Sequence, residues 1–121
     1  MNKKELNNYI NENIEKFQEY ELIPEHDTRK SFYNKAKVLI YNHIYILKSY
    51  NSYVCIIYNN SKELKYYLND AIDLELLFSN TTLRHIKEFL LQNIKALCLS
   101  SYFDGKITKK DIINNEGKNF I

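Results

Sequence analysis

Residues 32–68 read FYNKAKVLIYNHIYILKSYNSYVCIIYNNSKELKYYL, a stretch with a period of two in which β-branched and aromatic residues dominate. Asn-rich breaks fall at Asn42, Asn51 and Asn59-Asn60. They divide the stretch into four expected strands, Phe32 to Ile40, Ile44 to Ser49, Tyr53 to Tyr58 and Glu63 to Leu68, joined as an antiparallel meander. In the first strand Ala36, Val38 and Ile40 alternate with Lys35, Lys37 and Leu39, the pattern of a half-buried strand. The chain has only two Gly. Asn tolerates a left-handed backbone better than other non-glycine residues, so the Asn positions are expected to make the turns.

Outward from this stretch the period becomes helical. Asn2 and Glu5 form a plausible capping box, and Leu6, Tyr9, Ile10, Ile14 and Phe17 then recur at helix spacing, which predicts a helix from Lys3 to Tyr20. Pro24 disfavours helix at Ile23 and makes Glu21 to Ser31 a connection. Beyond the sheet, Ser79 or Asn80 opens a second helix running to Leu99, with Leu83, Ile86, Leu90, Ile94 and Leu97 on one stripe that Phe89 and Leu91 widen. After Gly105, Thr108 and Asp111 cap a short last helix near Lys109 to Asn115. The expected fold is α+β, one domain over residues 1–121: N-terminal helix, four-stranded antiparallel meander, long amphipathic helix and short C-terminal helix, with the helices on one face of the sheet.

Hydrophobic residues make up 45% of the chain and charged residues 26%, values of a globular protein that exclude wholesale disorder. No apolar run reaches the roughly 18 residues that span a bilayer, and Met1 to Tyr20 is polar and amphipathic, unlike a signal peptide. A cytoplasmic protein without membrane attachment is the expectation. Cys55 and Cys98 follow no metal or disulfide spacing and are expected to be buried thiols.

Charge is unevenly spread. Met1 to Asp27 carries three Lys against seven acidic residues, Thr28 to Lys65 seven basic residues against Glu63 alone, and the remainder balances. The basic block also holds Tyr33, Tyr41, Tyr45, Tyr50, Tyr53 and Tyr58. Lysines and arginines that neutralise phosphate, with tyrosines that stack on bases, suit a nucleic acid. The same residues suit an acidic protein surface, or a solvated face with amphipathic tyrosines at the core edge. Lys35, Lys37 and Lys48 are expected on the exposed face of the sheet, and Arg84 and His85 on the flanks of the second helix. The partner-binding candidates are Arg29, Lys30, Tyr33, Lys35, Lys37, Lys48, Tyr50, Tyr53, Arg84 and His85. Asp27, Arg29 and Lys30 are read as a charged loop beside a helix start, with an ion-pair cluster to Arg84 as the alternative. His26, His43 and His85 follow no zinc spacing, and two Gly cannot build a phosphate loop. Neither a catalytic constellation, a metal nor a cofactor is expected.

Three segments carry a resemblance to a known group: Asp27-Thr28-Arg29-Lys30-Ser31-Phe32-Tyr33-Asn34-Lys35-Ala36, Ser49-Tyr50-Asn51-Ser52-Tyr53-Val54, and Ser79-Asn80-Thr81-Thr82-Leu83-Arg84-His85-Ile86-Lys87-Glu88-Phe89-Leu90. They resemble a domain of unknown function in small proteins from phages, plasmids and conjugative elements of low-GC Gram-positive bacteria. The group usually has Gly where Asn34 stands, which implies a turn conformation that Asn also adopts. The resemblance implies an accessory protein of a mobile element, and some similar sequences look like anti-CRISPR proteins. It implies a host protein as partner, a CRISPR nuclease or its guide complex among the options, and brings no catalytic residues. The expected function is therefore non-enzymatic inhibition or modulation of a host factor, with a nucleic-acid-binding accessory or regulatory protein as the alternative.

Overall fold

The computed structural model describes residues 1–69, 79–98 and 107–121. Helix α1 spans Lys3–Asn13 and is opened by the expected capping box between Asn2 and Glu5. It ends seven residues before the expected boundary at Tyr20: Asn13 returns its side-chain amide to the Tyr9 carbonyl, a single 3₁₀ turn follows at Ile14–Lys16, and Phe17 is extended. Gln18–Glu21 is then a strand, β1. Four exposed polar or aromatic residues give no strand pattern of their own. What makes them a strand is the ladder they form on the edge of β2.

The other strands are β2 (Ala36–Tyr41), β3 (Ile44–Ser49), β4 (Ser52–Asn59) and β5 (Leu64–Leu68). All five are antiparallel in the order β1-β2-β3-β4-β5, so the sheet has one strand more than the sequence pattern indicated. Phe32 to Lys35 lie outside β2, in a turn closed by the Lys35 N–H on the Phe32 carbonyl. Helix α2 spans Asn80–Asn93, with Ser79 as its cap accepting from the Thr82 N–H. The helix breaks at Ile94 and resumes as α3 (Lys95–Cys98); the end expected at Leu99 and the Cys98 side chain lie outside the described residues. The last helix, α4 (Lys109–Asn114), starts with the expected Thr108 and Asp111 capping box.

Both faces of the sheet are covered. On one, Val38, Leu47, Cys55, Ile57 and Tyr66 pack with Ile86, Phe89 and Leu90 of α2 and Ile112 of α4. On the other, Leu6 and Ile10 of α1 close over Leu39, Ile44, Ile46 and Ile56. The expectation that all helices share one face is thus corrected. Strands that alternate hydrophobic residues on both sides, as Val38-Leu39 and Leu47-Ile46 do, need cover on both sides. Among the described residues no helix is long and apolar enough to cross a membrane.

Candidate functional site

The ten candidates divide between separate places. Lys37 and Lys48 are directly paired across β2 and β3. Two like charges opposite each other repel. Glu19 of β1 relieves the repulsion, with its carboxylate 3.8 Å from Lys37 Nζ and 3.7 Å from Lys48 Nζ. The acidic surplus of the N-terminal region therefore folds back onto the basic block, and these two lysines are not the open basic face that their sequence neighbourhood indicated. Tyr53 stands on the α1 side of the sheet, where it borders a cavity of about 330 Å³ with Ile10, Ile46 and Cys55. Lys30 is exposed and forms no part of the cleft described next.

The remaining six do meet. Arg29, Tyr33, Lys35, Tyr50, Arg84 and His85 line one cleft of about 360 Å³, completed by Phe32 and Thr81. Its walls come from the connection before β2, the β3–β4 turn and the first turns of α2. A smaller groove of about 170 Å³ adjoins it, sharing Lys35 and Tyr50 and reaching Lys37 and Lys48. Arg84 binds Asp27 at 3.1 Å, and Asp27 also accepts the Arg29 backbone N–H at 2.9 Å, so of the alternative cluster the one ion pair between Asp27 and Arg84 forms. Arg29 and Lys35 are exposed.

Two tyrosines stand at the cleft on unusual backbone. Tyr33 and Asn34 have φ of +52° and +63°, and with the Lys35 to Phe32 hydrogen bond they make a type I′ turn. Asn34 thus adopts the left-handed turn that the resemblance implied. Tyr50, at φ +56°, takes the left-handed position in the β3–β4 turn, where the Asn pattern pointed to Asn51. Left-handed backbone costs a side chain such as Tyr about 1–2 kcal/mol. Neighbouring groups hold it in place: Ser31 Oγ accepts from Tyr33 N–H, Glu21 Oε1 from Asn34 N–H, and the Lys35 carbonyl from Tyr50 N–H. The Tyr33 side chain is left 75% exposed and that of Tyr50 50% exposed.

His85 is not on the helix flank, as expected, but 1% exposed beneath the cleft. The reason is a polar contact that the apolar stripe did not reveal: Nδ1 lies 2.8 Å from the Oγ of Ser49, which faces inward at the end of β3. Phe32 packs edge-on against the ring, with centroids 4.6 Å apart. Ser49 Oγ is 3.4 Å from Thr82 Oγ1, which in turn accepts from Ser79 Oγ at 3.1 Å. Burial pushes the His85 pKa down from 6.5 to about 4, while Asp27 pulls it up and Arg29 down. The ring is neutral at pH 7. No buried side-chain nitrogen or oxygen among the described residues lacks a hydrogen-bond partner. Among the described residues the Nε2 of His85 has none, so this atom is not sealed in, and its ring lines the cleft.

One turn further along α2, Glu88 is 1% exposed and fixes the connection that carries Arg29. Its carboxylate accepts from the His26 backbone N–H at 2.7 Å and Gln92 Nε2 at 2.9 Å, and pairs with His26 Nδ1 at 2.9 Å. Burial works to raise its pKa, but these bonds and one from the Glu25 backbone outweigh burial and hold the carboxyl below the usual glutamate value. Sequence reasoning missed Ser49, Thr82 and Glu88 in these roles. The available signal was a polar residue on an inward strand position and two on the buried side of a helix stripe.

With this geometry in view, comparison with family models places the sequence. The chain belongs to a family of unknown function, DUF8033. The match covers residues 20–115. All residues lining the cleft fall within the DUF8033 span, whereas α1 lies outside it. No curated protein and no solved structure matches the chain.

Proposed function

We propose that this protein is a non-enzymatic accessory protein of a mobile element that binds a host factor through the cleft and thereby inhibits or modulates it. The observation that carries the reading is the meeting of Arg29, Tyr33, Lys35, Tyr50, Arg84 and His85, drawn from three separate parts of the chain, around one opening. Exposed tyrosines and arginines are the residue types that anchor interfaces. The mobile-element origin, the bacterial cytoplasm and a CRISPR nuclease or its guide complex as partner rest on the sequence resemblance. A nucleic-acid-binding accessory or regulatory role is the second reading, favoured by cations set beside exposed Tyr33 and Tyr50. In either reading the contact surface is the cleft, since α1 and α2 occupy the two faces of the sheet.

The test is charge reversal at the cleft rim. Tagged full-length protein and its Arg29→Glu/Lys35→Glu variant are used to capture partners from the native host, with mass spectrometry as the readout. Wild type is expected to retain a partner that the variant loses, while the thermal midpoint shifts by no more than about 2 °C, since both side chains are exposed. Full retention of that partner by the folded variant rejects the cleft as the surface that binds the host factor.

A further inference from the structure

The cleft's size, its cations and the open nitrogen of His85 together indicate what it accepts. Pockets for small ligands run from about 300 to 1,000 Å³, so an opening of about 360 Å³ fits a ligand of one residue better than a tracked strand. Arg29, Lys35 and Arg84 give it positive charge, only partly offset by Asp27. An anion is the complement.

The protonation of His85 follows from the hydroxyls behind it. Ser79 donates to Thr82, so the arrangement that gives each hydroxyl proton an acceptor continues from Thr82 to Ser49 and from Ser49 to His85 Nδ1. In the opposite tautomer Nδ1–H would donate to Ser49 and leave the Ser49 proton only the longer 3.4 Å contact with Thr82. Nδ1 is then the acceptor, and the ring proton is expected on Nε2 of a ring that lines the cleft. A nearly buried neutral donor among cations suits an oxygen anion. A cation there would be repelled by the charges and would leave the donor unanswered.

Carboxylate and phosphate both meet that demand, and the tyrosines decide between them. Tyr33 and Tyr50 present their rings at the opening from strained backbone, and every nucleobase has a face that stacks on such rings. Strain of this kind concentrates at ligand sites. We propose that the cleft binds a nucleotide, its phosphate on Arg29, Lys35 and the His85 Nε2–H and its base on Tyr33 or Tyr50. This rests on the reading of the cleft as the binding surface. Free mononucleotide and the phosphorylated end of a single strand offer the same chemistry.

Calorimetric titration of the full chain with adenosine 5′-monophosphate, adenosine, inorganic phosphate and a short 5′-phosphorylated oligoadenylate separates the possibilities. The monophosphate is expected to bind, with adenosine and inorganic phosphate each weaker by at least about tenfold. Arg29→Gln and Lys35→Gln should each weaken the monophosphate by about tenfold, the loss of one charge-assisted hydrogen bond. Oligoadenylate binding tighter than the monophosphate and falling steeply with salt points to a strand end; equal affinity points to the free nucleotide. In nitrogen-resolved NMR, His85 should carry its proton on Nε2, and that resonance should move with the monophosphate but not with adenosine. Ser49→Ala, which removes the acceptor-side hydroxyl, should mix the two tautomers and weaken the monophosphate without abolishing folding.

Absence of binding to both phosphorylated probes overturns the proposal, as does inorganic phosphate binding as tightly as the nucleotide or a proton found on Nδ1. Should the nucleotides fail while Arg29→Glu/Lys35→Glu still abolishes partner capture, the nucleotide inference falls and the cleft remains a binding surface for protein. Should the nucleotides bind while that variant keeps its captured partner, the host-factor reading falls and this one stands.

Discussion

Three residues apart on α2, His85 and Glu88 are equally buried, each 1% exposed, yet their polar atoms are served in opposite ways. Both Glu88 oxygens have partners, from His26 and Gln92. One His85 nitrogen is bound by Ser49, and the other has no hydrogen-bond partner among the described residues, on a ring that lines the cleft. Glu88 stays charged because its surroundings were built around a charge, whereas His85 stays neutral because burial outweighs the pull of Asp27. A saturated buried group is holding structure together. A buried group left with one free atom at an opening is prepared for something outside the fold.

The comparison breaks most visibly at Glu88. Glu88→Ala removes the acceptor shared by the His26 N–H, the His26 ring and the Gln92 amide, and it leaves the Gln92 bond to the Ile23 carbonyl to tie the connection before β2 to α2. The expected cost is about 3 to 5 kcal/mol in urea unfolding. A loss under about 1 kcal/mol would mean that the connection is held by other contacts and that the carboxylate is not its anchor.

Acid separates the two residues next. The folded pKa of His85 is depressed from 6.5 to about 4, so below pH 6.5 the unfolded chain takes up a proton that the folded one refuses. Stability from this group is complete above about pH 6.5 and is lost as pH falls from there through about 4. At 1.36 kcal/mol per pKa unit the loss is about 2 to 4 kcal/mol. The Glu88 carboxyl is also depressed, so its contribution holds above the ordinary glutamate value of 4.5 and disappears only at lower pH. Urea midpoints at several pH values should therefore decline in wild type already between pH 6.5 and 4.5, and His85→Gln should remove that early decline while keeping the later one. A wild type with constant stability down to pH 4.5 would show that the ring is solvated rather than buried.

How much of this was legible beforehand follows the same division between apolar pattern and polar partnership. Ile86, Leu90 and Ile94 announced the buried stripe of α2 by spacing alone, and all are fully buried. The capping residues Asn2, Ser79, Thr108 and Asp111 likewise announced helix starts that the structure has. β1 was not legible, because Gln-Glu-Tyr-Glu is a strand only by pairing with β2, and pairing is not a property of the segment itself. With β1 hidden, Glu19 could not be seen between Lys37 and Lys48, and the basic block looked more open than it is. The cleft was legible in its residues and not in its shape. Arg29, Lys35 and Arg84 stood out by charge, whereas Ser49 and Thr82 matter only because β3 and α2 bring them to His85.

The smallest effect sharpens the comparison most, because stability and binding should move in opposite directions. At Tyr33 the backbone is left-handed, φ +52°, which costs a tyrosine about 1–2 kcal/mol and glycine nothing. Glycine gives back part of that by making the unfolded chain freer, about 0.4–1 kcal/mol. The ring is 75% exposed, so little burial is lost with it. Tyr33→Gly should then stabilise the fold by about 0.5 kcal/mol and raise the thermal midpoint by about 1 to 3 °C, while weakening whatever the cleft holds. Asn34→Gly, at φ +63° in the same turn, is the control: Asn already tolerates that backbone, and Asn34 does not line the main cleft, so stability should change by a few tenths of a kcal/mol and cleft binding not at all. If the tyrosine served the fold, its removal would destabilise; a midpoint lowered by more than about 4 °C would assign the ring to the fold. A raised midpoint with intact binding would leave the strain at Tyr33 without a purpose in the cleft. Only a gain in stability coupled to a loss of binding matches a side chain that the fold tolerates for the sake of a ligand.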